Sequence, residues 1–569
     1  MVVGAVVAAL VAAGLITWWD RTGADGTQTA APVVSGAAAV PGTGAPHPVS
    51  GGASGPTAVA GDGTCPLPGG ELTVAAAPEL ADTLTTAAHT LRPGGCLLKV
   101  RAADPAAVIA DTAGANAWIP DSSVWLERAA AAGRAVPGQG TSIATSPVVL
   151  AVSGAAARQL QQSGGSDMRG ILASRAGATP IRVGLPDPQR SAAAVGAILS
   201  ARAAVTGAAD ARAALTWAVR SSPADLPTSA AELLARLDAD PRTALPVGEQ
   251  QVIAYNRTHA GSPAVAVYER TGGVALDYPL VALSPDPSVT AVTAALASAL
   301  TGGPGRDALL QAGFRGVDGK AGSAVGDVPG VDPAVTIADP LPALGAVDEA
   351  IRTAQLTNEP SRMLAVMDIS GSMESEVPGA GGASRMDVAK AAAARGLALY
   401  PPTSEIGLWV FSRKLDGDTD HRELIPVGPL GADADGGSGA QRLAAAVAGI
   451  QAVPDGGTGL YDTVLDAVRT MRAAWDPSKV NAVLILSDGM NDDQGSISLD
   501  DLLRMLSAEQ DPQRPVPVIS IAFGPDSDVQ ALAAISKATG GAAYQSRDPN
   551  QIGEIFLDAV GQRLCRPGC

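Results

Sequence analysis

Residues 366–374 read VMDISGSME, an apolar run that ends in Asp368, Ser370 and Ser372. Further on, GGTGLYDT sets Thr458 ahead of a helix-forming stretch, and NAVLILSDG ends a second apolar run in Asp488. All five side chains offer a hard oxygen, from two carboxylates and three hydroxyls, with no imidazole or thiolate among them. Such a set, low in charge and with room for water, suits an octahedral hard cation: Mg²⁺ first, with Mn²⁺ or Ca²⁺ as alternatives. Each fragment alone is an ordinary turn, since Asp, Ser and Gly are turn residues. The neighbouring Gly371, Gly457 and Gly489 are expected to let the backbone turn tightly around an ion.

For these side chains to meet, their three segments must leave one sheet at the same edge. MLAVMD is a continuous apolar run, as in a strand buried on both faces. SRMDVAKAAAARGLALY reads as a helix, IGLWVFS as a strand, and GAQRLAAAVAGI and GLYDTVLDAVRTMRAAW as helices. Then come the strand NAVLILS, the helix SLDDLLRMLSA capped by Ser498, the strand VPVISIAF, the helix SDVQALAAISKATG, the strand AAYQS and a closing helix, DPNQIGEIFLDAVGQRL. The pattern predicts a doubly wound α/β domain over residues 358–564, with its sites at the C-terminal ends of the strands.

Asp-x-Ser-x-Ser, a later Thr and an Asp after the central strand, in that order, resemble a von Willebrand factor type A (VWA) domain with an intact metal-ion-dependent adhesion site. The resemblance covers the second half of the chain. It implies that Ser370, Ser372 and often Thr458 bind the ion directly, with Asp368 and Asp488 acting through water. It also implies that a carboxylate of a protein partner fills the open position. Nearby, Glu374, Glu376 and Asp462 read as first-turn helix charges, with an enlarged acidic rim as the alternative for the two glutamates, and Asp492 and Asp493 read as solvated loop charge, with a second cation as the alternative. His421 reads as a surface residue of a polar loop.

Residues 64–345 alternate strand and helix patterns over a span that suits one two-lobed α/β domain. LTVAAAPEL, WIPDSSVWL, ATSPVVLAV and VGLPDPQRSAAAV, in that order, resemble the type 2 periplasmic solute-binding fold that takes molybdate, sulfate and related oxyanions. The resemblance implies a small anionic ligand in an interlobe cleft, near Ala77, Ser122, Ser123, Ser146 and Ser191, where helix N-termini and hydroxyls hold an anion. The same residues have a plain structural reading: Ser122 and Ser191 suit helix caps, and Ser146 precedes Pro147 in a bend. Solute-binding and VWA halves together resemble actinobacterial surface proteins that carry both behind one N-terminal anchor.

Val2–Trp19 is an uncharged run long enough to cross a membrane, with Trp18 and Trp19 at its end. A transmembrane anchor in residues 1–19 is the expectation, making a single-pass cell-membrane protein with extracellular domains; the rival is a cleaved signal peptide and a secreted protein. Residues 20–63, rich in Gly, Pro and Ala, form a tether reaching on the order of 30–40 Å. Export permits disulfides, and nearest-neighbour pairing joins Cys65 to Cys96 and Cys565 to Cys569 in the 565–569 tail. A net charge of −17 without a basic cluster argues against nucleic-acid partners. No HExxH, GxSxG or phosphate loop is present, so a binding protein is expected rather than an enzyme. The alternative function is a solute receptor whose first domain binds a ligand and whose second signals to a partner.

Overall fold

Strand and helix alternate through the first half because apolar runs of strand length are separated by alanine-rich helix formers. In the computed structural model these runs assemble into two sheets. The structure describes residues 64–546 except 113, 135, 139, 209, 224, 270–271, 378–381, 435–436, 489 and 524–526. The apolar N-terminal run, the tether, Gly489, the closing helix, Cys565 and Cys569 lie outside the described residues. No helix among the described residues is long and apolar enough to cross a membrane.

One lobe is built on Glu71–Ala76 (β1), Leu97–Ala102 (β2), Ala117–Ile119 (β3) and Thr141–Ser142 (β4). The other holds Ser146–Val152 (β5), Arg182–Val183 (β6), Thr243–Gly248 (β7), Val265–Tyr268 (β8) and the short Ala275–Leu276 (β9), after which Pro279–Ala282 (β10) returns to the first sheet. The orders are β2-β1-β3-β10-β4 and β6-β7-β5-β8, with β9 on β5. The chain therefore crosses between lobes twice, after β4 and after β9. A disulfide between Cys65 and Cys96 ties the approach to β1 to the approach to β2.

The helices of this domain include Pro78–Ala87 (α1), with Pro78 in its first turn, Val124–Ala131 (α2) and Ala192–Val205 (α3). Next come Ala211–Arg220 (α4), Glu249–Thr258 (α5) and, joining the domains, Leu344–Thr357 (α6). Arg220 closes α4 and is almost fully buried. Its guanidinium donates to the carbonyls of Thr357 (2.7 Å), Glu359 (3.4 Å) and Leu399 (3.4 Å) and lies over the Tyr400 ring. One arginine of the first domain thus satisfies carbonyls of the connecting helix and of the second domain.

The second domain has one six-stranded sheet, built from Ser361–Asp368 (β11), Glu405–Asp416 (β12), Thr419–Pro429 (β13), Val480–Ser487 (β16), Val518–Phe523 (β17) and Ala543–Ser546 (β18). A separate two-stranded ladder pairs Asp433–Ala434 (β14) with Gly437–Ser438 (β15). The order β13-β12-β11-β16-β17-β18 puts β11 at the centre, parallel to both neighbours. Met363 and Met367 face Arg385–Leu397 (α7) and Gly439–Gly449 (α8); Leu364 and Val366 face Leu460–Ala473 (α9), Leu499–Ala508 (α10) and Val529–Ala538 (α11). That alternation makes β11 the two-sided strand its apolar run predicts. The architecture is α/β in two domains, a two-lobed one followed by one built on a single doubly wound sheet.

One element was not anticipated. The polar stretch after IGLWVFS is a long antiparallel hairpin, β12 with β13, turning at Gly417-Asp418 with Gly417 at φ +65°. His421 is therefore not in a surface loop. It sits on β13, stacked on Trp409 at 4.1 Å, with 17% of its side chain exposed.

The most deeply buried ion pair in the first domain joins α5 to the segment beyond the second lobe crossing. Arg315 Nε and Nη2 donate to Glu249 Oε2 and Oε1 at 2.6 and 2.7 Å, and Tyr268 Oη donates to Glu249 Oε1 at 2.5 Å. The guanidinium also donates to the carbonyls of Gly319, Asp332 and Val335, so every charge in this dry site is satisfied. Removing one partner strands the other in low dielectric. Glu249→Gln or Arg315→Met is expected to cost about 3–5 kcal/mol in denaturant unfolding, and the double variant less than the sum of the two.

Candidate functional site

The register of β11 decides where the oxygen donors meet. Asp368 lies level with Phe411 of β12, and Met367 is level with Leu486, so Asp368 comes beside Ser487 at the end of β16. Ser487 Oγ donates to Asp368 Oδ2 at 2.6 Å, and the Ser370 amide donates to Asp368 Oδ1 at 2.8 Å. The Ser370 and Ser372 hydroxyls are 3.0 Å apart, and Ser372 Oγ donates to Asp488 Oδ1 at 2.8 Å. Asp368, Ser370 and Asp488 are buried, whereas Ser372 is exposed, so the cluster opens to solvent on the Ser372 side.

Thr458 arrives on a third loop. The Gly371 amide donates to the Gly456 carbonyl at 3.0 Å, pinning that loop against the Asp368–Ser372 turn, and the Thr458 carbonyl accepts from the Asp492 amide at 2.8 Å. The buried Thr458 hydroxyl has no hydrogen-bond partner among the described residues. Burial first, and then the neighbouring Asp488 charge, push the Asp368 carboxyl up to about 6. Two desolvated carboxylates beside three hydroxyls form an oxygen-only donor set that fits a hard divalent cation.

The glycines act otherwise than by turning. Neither Gly371 nor Gly457 has a positive φ; the left-handed residue of this region is Asp455, at φ +59°. A Cβ on Gly371 would stand 3.2 Å from the Asp455 nitrogen, and one on Gly457 would stand 2.9 Å from the Arg413 guanidinium carbon and 3.0 Å from the Asp492 carbonyl. They are small because loops must touch there.

Of the acidic residues beside the motif, Asp462 and Asp493 converge with Asp420 of β13, their carboxylate oxygens within 4.8 Å of one another. Asp492 stays exposed and pairs with Arg413. Sequence reading missed Asp420, since it lies in the hairpin, and it missed Arg385, whose Nη1 donates to Asp488 Oδ2 at 2.8 Å. A basic residue in the first turn of a helix, against the helix dipole, was the available signal.

In the first domain, Ala77 precedes α1 and is buried. Ser191 caps α3 by accepting from the Ala194 amide. Ser146 is not in a bend: it opens β5, and its buried hydroxyl accepts from the Gln250 amide at 3.0 Å. Ser122 and Ser123 do face an anion, but it is the chain's own. Asp277, in the crossing between β9 and β10, accepts the Ser123 amide at 2.8 Å and bonds to both serine side chains. Glu79 in the first turn of α1 accepts from Tyr278 Oη at 2.9 Å and from Gln251 of the other lobe. Asp121 accepts from Trp125 Nε1 at 2.5 Å. Burial first, then Glu79 and Asp277, push the Asp121 carboxyl up to about 8. A free oxyanion would meet three carboxyl groups here. Those acids, invisible as a group in the sequence, come from three separate turns.

Comparison with known proteins bears on both halves. The family model described as bacterial extracellular solute-binding protein matches residues 72–315, and that described as von Willebrand factor type A domain matches residues 430–545. The two domains stand in tandem. The matched VWA residues include Thr458 and Asp488; Asp368–Ser372 precede them. Two uncharacterized proteins of Mycobacterium tuberculosis, from strains CDC 1551 / Oshkosh and ATCC 25618 / H37Rv, are each 29% identical over 230 residues, 40% of this chain. The match spans about a third (32%) of the length of those relatives. Among solved structures, the sulfate-binding protein SubI from M. tuberculosis H37Rv is 22% identical, covering 49% of this chain and 98% of its own at a TM-score of 0.39. A von Willebrand factor type A protein from Catenulispora acidiphila is 20% identical, covering 36% and 43% at a TM-score of 0.29. VWA domains commonly bind a divalent metal and mediate protein interactions, solute-binding domains bind small ligands, and both are typically non-enzymatic.

Asp121 gives a pH test. Its carboxyl binds a proton more tightly in the folded protein than in the unfolded chain, so its contribution to stability is full near pH 4 and is lost as pH rises through about 8. The melting temperature of the first domain should fall between pH 6 and pH 8.5, and Asp121→Asn should flatten that slope.

Proposed function

We propose that this chain is an extracellular, membrane-anchored binding protein whose VWA domain captures an acidic side chain of a protein partner through a divalent cation. Asp368, Ser370, Ser372, Thr458 and Asp488 would hold the ion, with Mg²⁺ as first choice and Mn²⁺ or Ca²⁺ as alternatives. When bound, the cation supplies a Lewis-acidic position that accepts one external carboxylate. The observation that carries this reading is the hydrogen-bonded chain from Asp368 through Ser370 and Ser372 to Asp488, with the loop that bears Thr458 pinned to it by the Gly371–Gly456 hydrogen bond. Two residues beyond Asp488, Met490 is 63% exposed and offers a protein partner an apolar contact at the rim. Anchoring by residues 1–19 fits an ectodomain of this kind, with secretion the outcome if that run is cleaved.

Calorimetric titration of Mg²⁺, Mn²⁺ and Ca²⁺ into metal-stripped protein is expected to give saturable binding that Asp368→Ala abolishes. Retained binding in that variant would sink the assignment. The rival reading, a receptor for a small anion, draws on the solute-binding domain match. Against it stands Asp277, which already takes the Ser123 amide and both serine hydroxyls. Sulfate and molybdate should therefore give no heat with the native protein. Tight binding of either, lost in Ser123→Pro, would favour the receptor.

A further inference from the structure

The proposed cation site contains a fixed positive charge that its motif does not include. Arg385 is the first residue of α7, directly after Ser384, which caps the helix by accepting from the Asp387 amide. Its own amide donates to the Ser375 carbonyl, and Met386, Ala389 and Ala392 bind the helix into the core. The start of the helix is thus held from three directions. Its Nη1 reaches Asp488 Oδ2 at 2.8 Å, opposite the Oδ1 that accepts from Ser372. Only 11% of the Arg385 side chain and none of the Asp488 side chain is exposed. An arginine cannot shed its charge, and at a helix N-terminus it works against the dipole. Its burial here is compensated by Asp488.

We propose that Arg385 sets the charge of the site so that the cation and an acidic partner bind as a pair. The inference rests on the metal-site reading above. Asp368 and Asp488 bring two negative charges, and Arg385 cancels one. A divalent cation then leaves the buried site with one net positive charge, which one external carboxylate neutralises. Without Arg385 the two aspartates and the cation would already balance, and the pull on a carboxylate at the open position would be weaker. In a poorly solvated site that difference is not screened by water. Arg385 therefore weakens the hold on a lone cation and strengthens capture of an acidic side chain on the loaded site. The preferred partner group is a carboxylate, not an amide or hydroxyl.

The test is calorimetric titration of Mg²⁺ into metal-stripped protein, with and without excess acetate as the carboxylate probe. Native protein, Arg385→Met, Arg385→Gln and Arg385→Lys are compared, with Asp368→Ala as the site control and thermal melting as the folding control. The expected result is about tenfold tighter Mg²⁺ binding in the two neutral variants. Acetate should tighten Mg²⁺ binding more in the native and Arg385→Lys proteins than in the neutral variants. A purely structural arginine would instead make all three variants alike. Mg²⁺ binding that Asp368→Ala removes but Arg385→Met and Arg385→Gln leave at native strength overturns this inference alone. Binding that survives Asp368→Ala overturns the metal-site reading, and this inference with it.

Discussion

The in-register parallel pairing of β11 with β12 and β16 is the constraint on which the second domain depends. Parallel strands deliver all their C-terminal ends to one edge, and the register sets which side chains stand level there. With Met367 opposite Leu486, Asp368 comes level with Ser487, so that the motif carboxylates Asp368 and Asp488 lie one and two residues beyond a shared rung. A slip of one residue would turn Asp368 to the other face of the sheet. The apolar residues that alternate along β11 hold that register by filling the cores on both faces.

Charge is handled differently in the two domains. In the first, the deep charges are paired or protonated within the fold. Arg315 and Glu249 close on each other, Arg220 is spent on carbonyls, and the cleft acids Glu79, Asp121 and Asp277 use donors that the turns supply. In the second, two desolvated aspartates converge beside hydroxyls with one arginine on Asp488 and solvent on one side. Only the latter leaves an electrostatic demand for something from outside. The binding role proposed for the second domain follows from that contrast.

The connection between domains has its own physical content. Arg220 grips the C-terminal end of α6 and the segment just after α7, whose other end carries Arg385. The helix that bears the site's positive charge is therefore held by the first domain at the end remote from the site. Buried hydrogen bonds to carbonyls that have no further intrahelical partner make this a rigid attachment.

The sequence by itself determined the fold class, the strand–helix order and the oxygen donors, because those follow from local patterns. Apolar run length separates strand from helix, Pro78 and Ser498 mark helix starts, and Asp-x-Ser-x-Ser is contiguous. The β12–β13 hairpin left only the Gly417-Asp418 turn as a local mark, and its polar outer strand hid it and took His421 and Asp420 with it. Only the tertiary structure decided what the glycines near the ion loop are for, since close approach between loops leaves no local mark. It alone brought Arg385 onto Asp488 and Asp277 onto Ser123, pairs 103 and 154 residues apart in the chain. Charge balance at a buried site depends on which distant groups share its low dielectric, and that is a property of the fold.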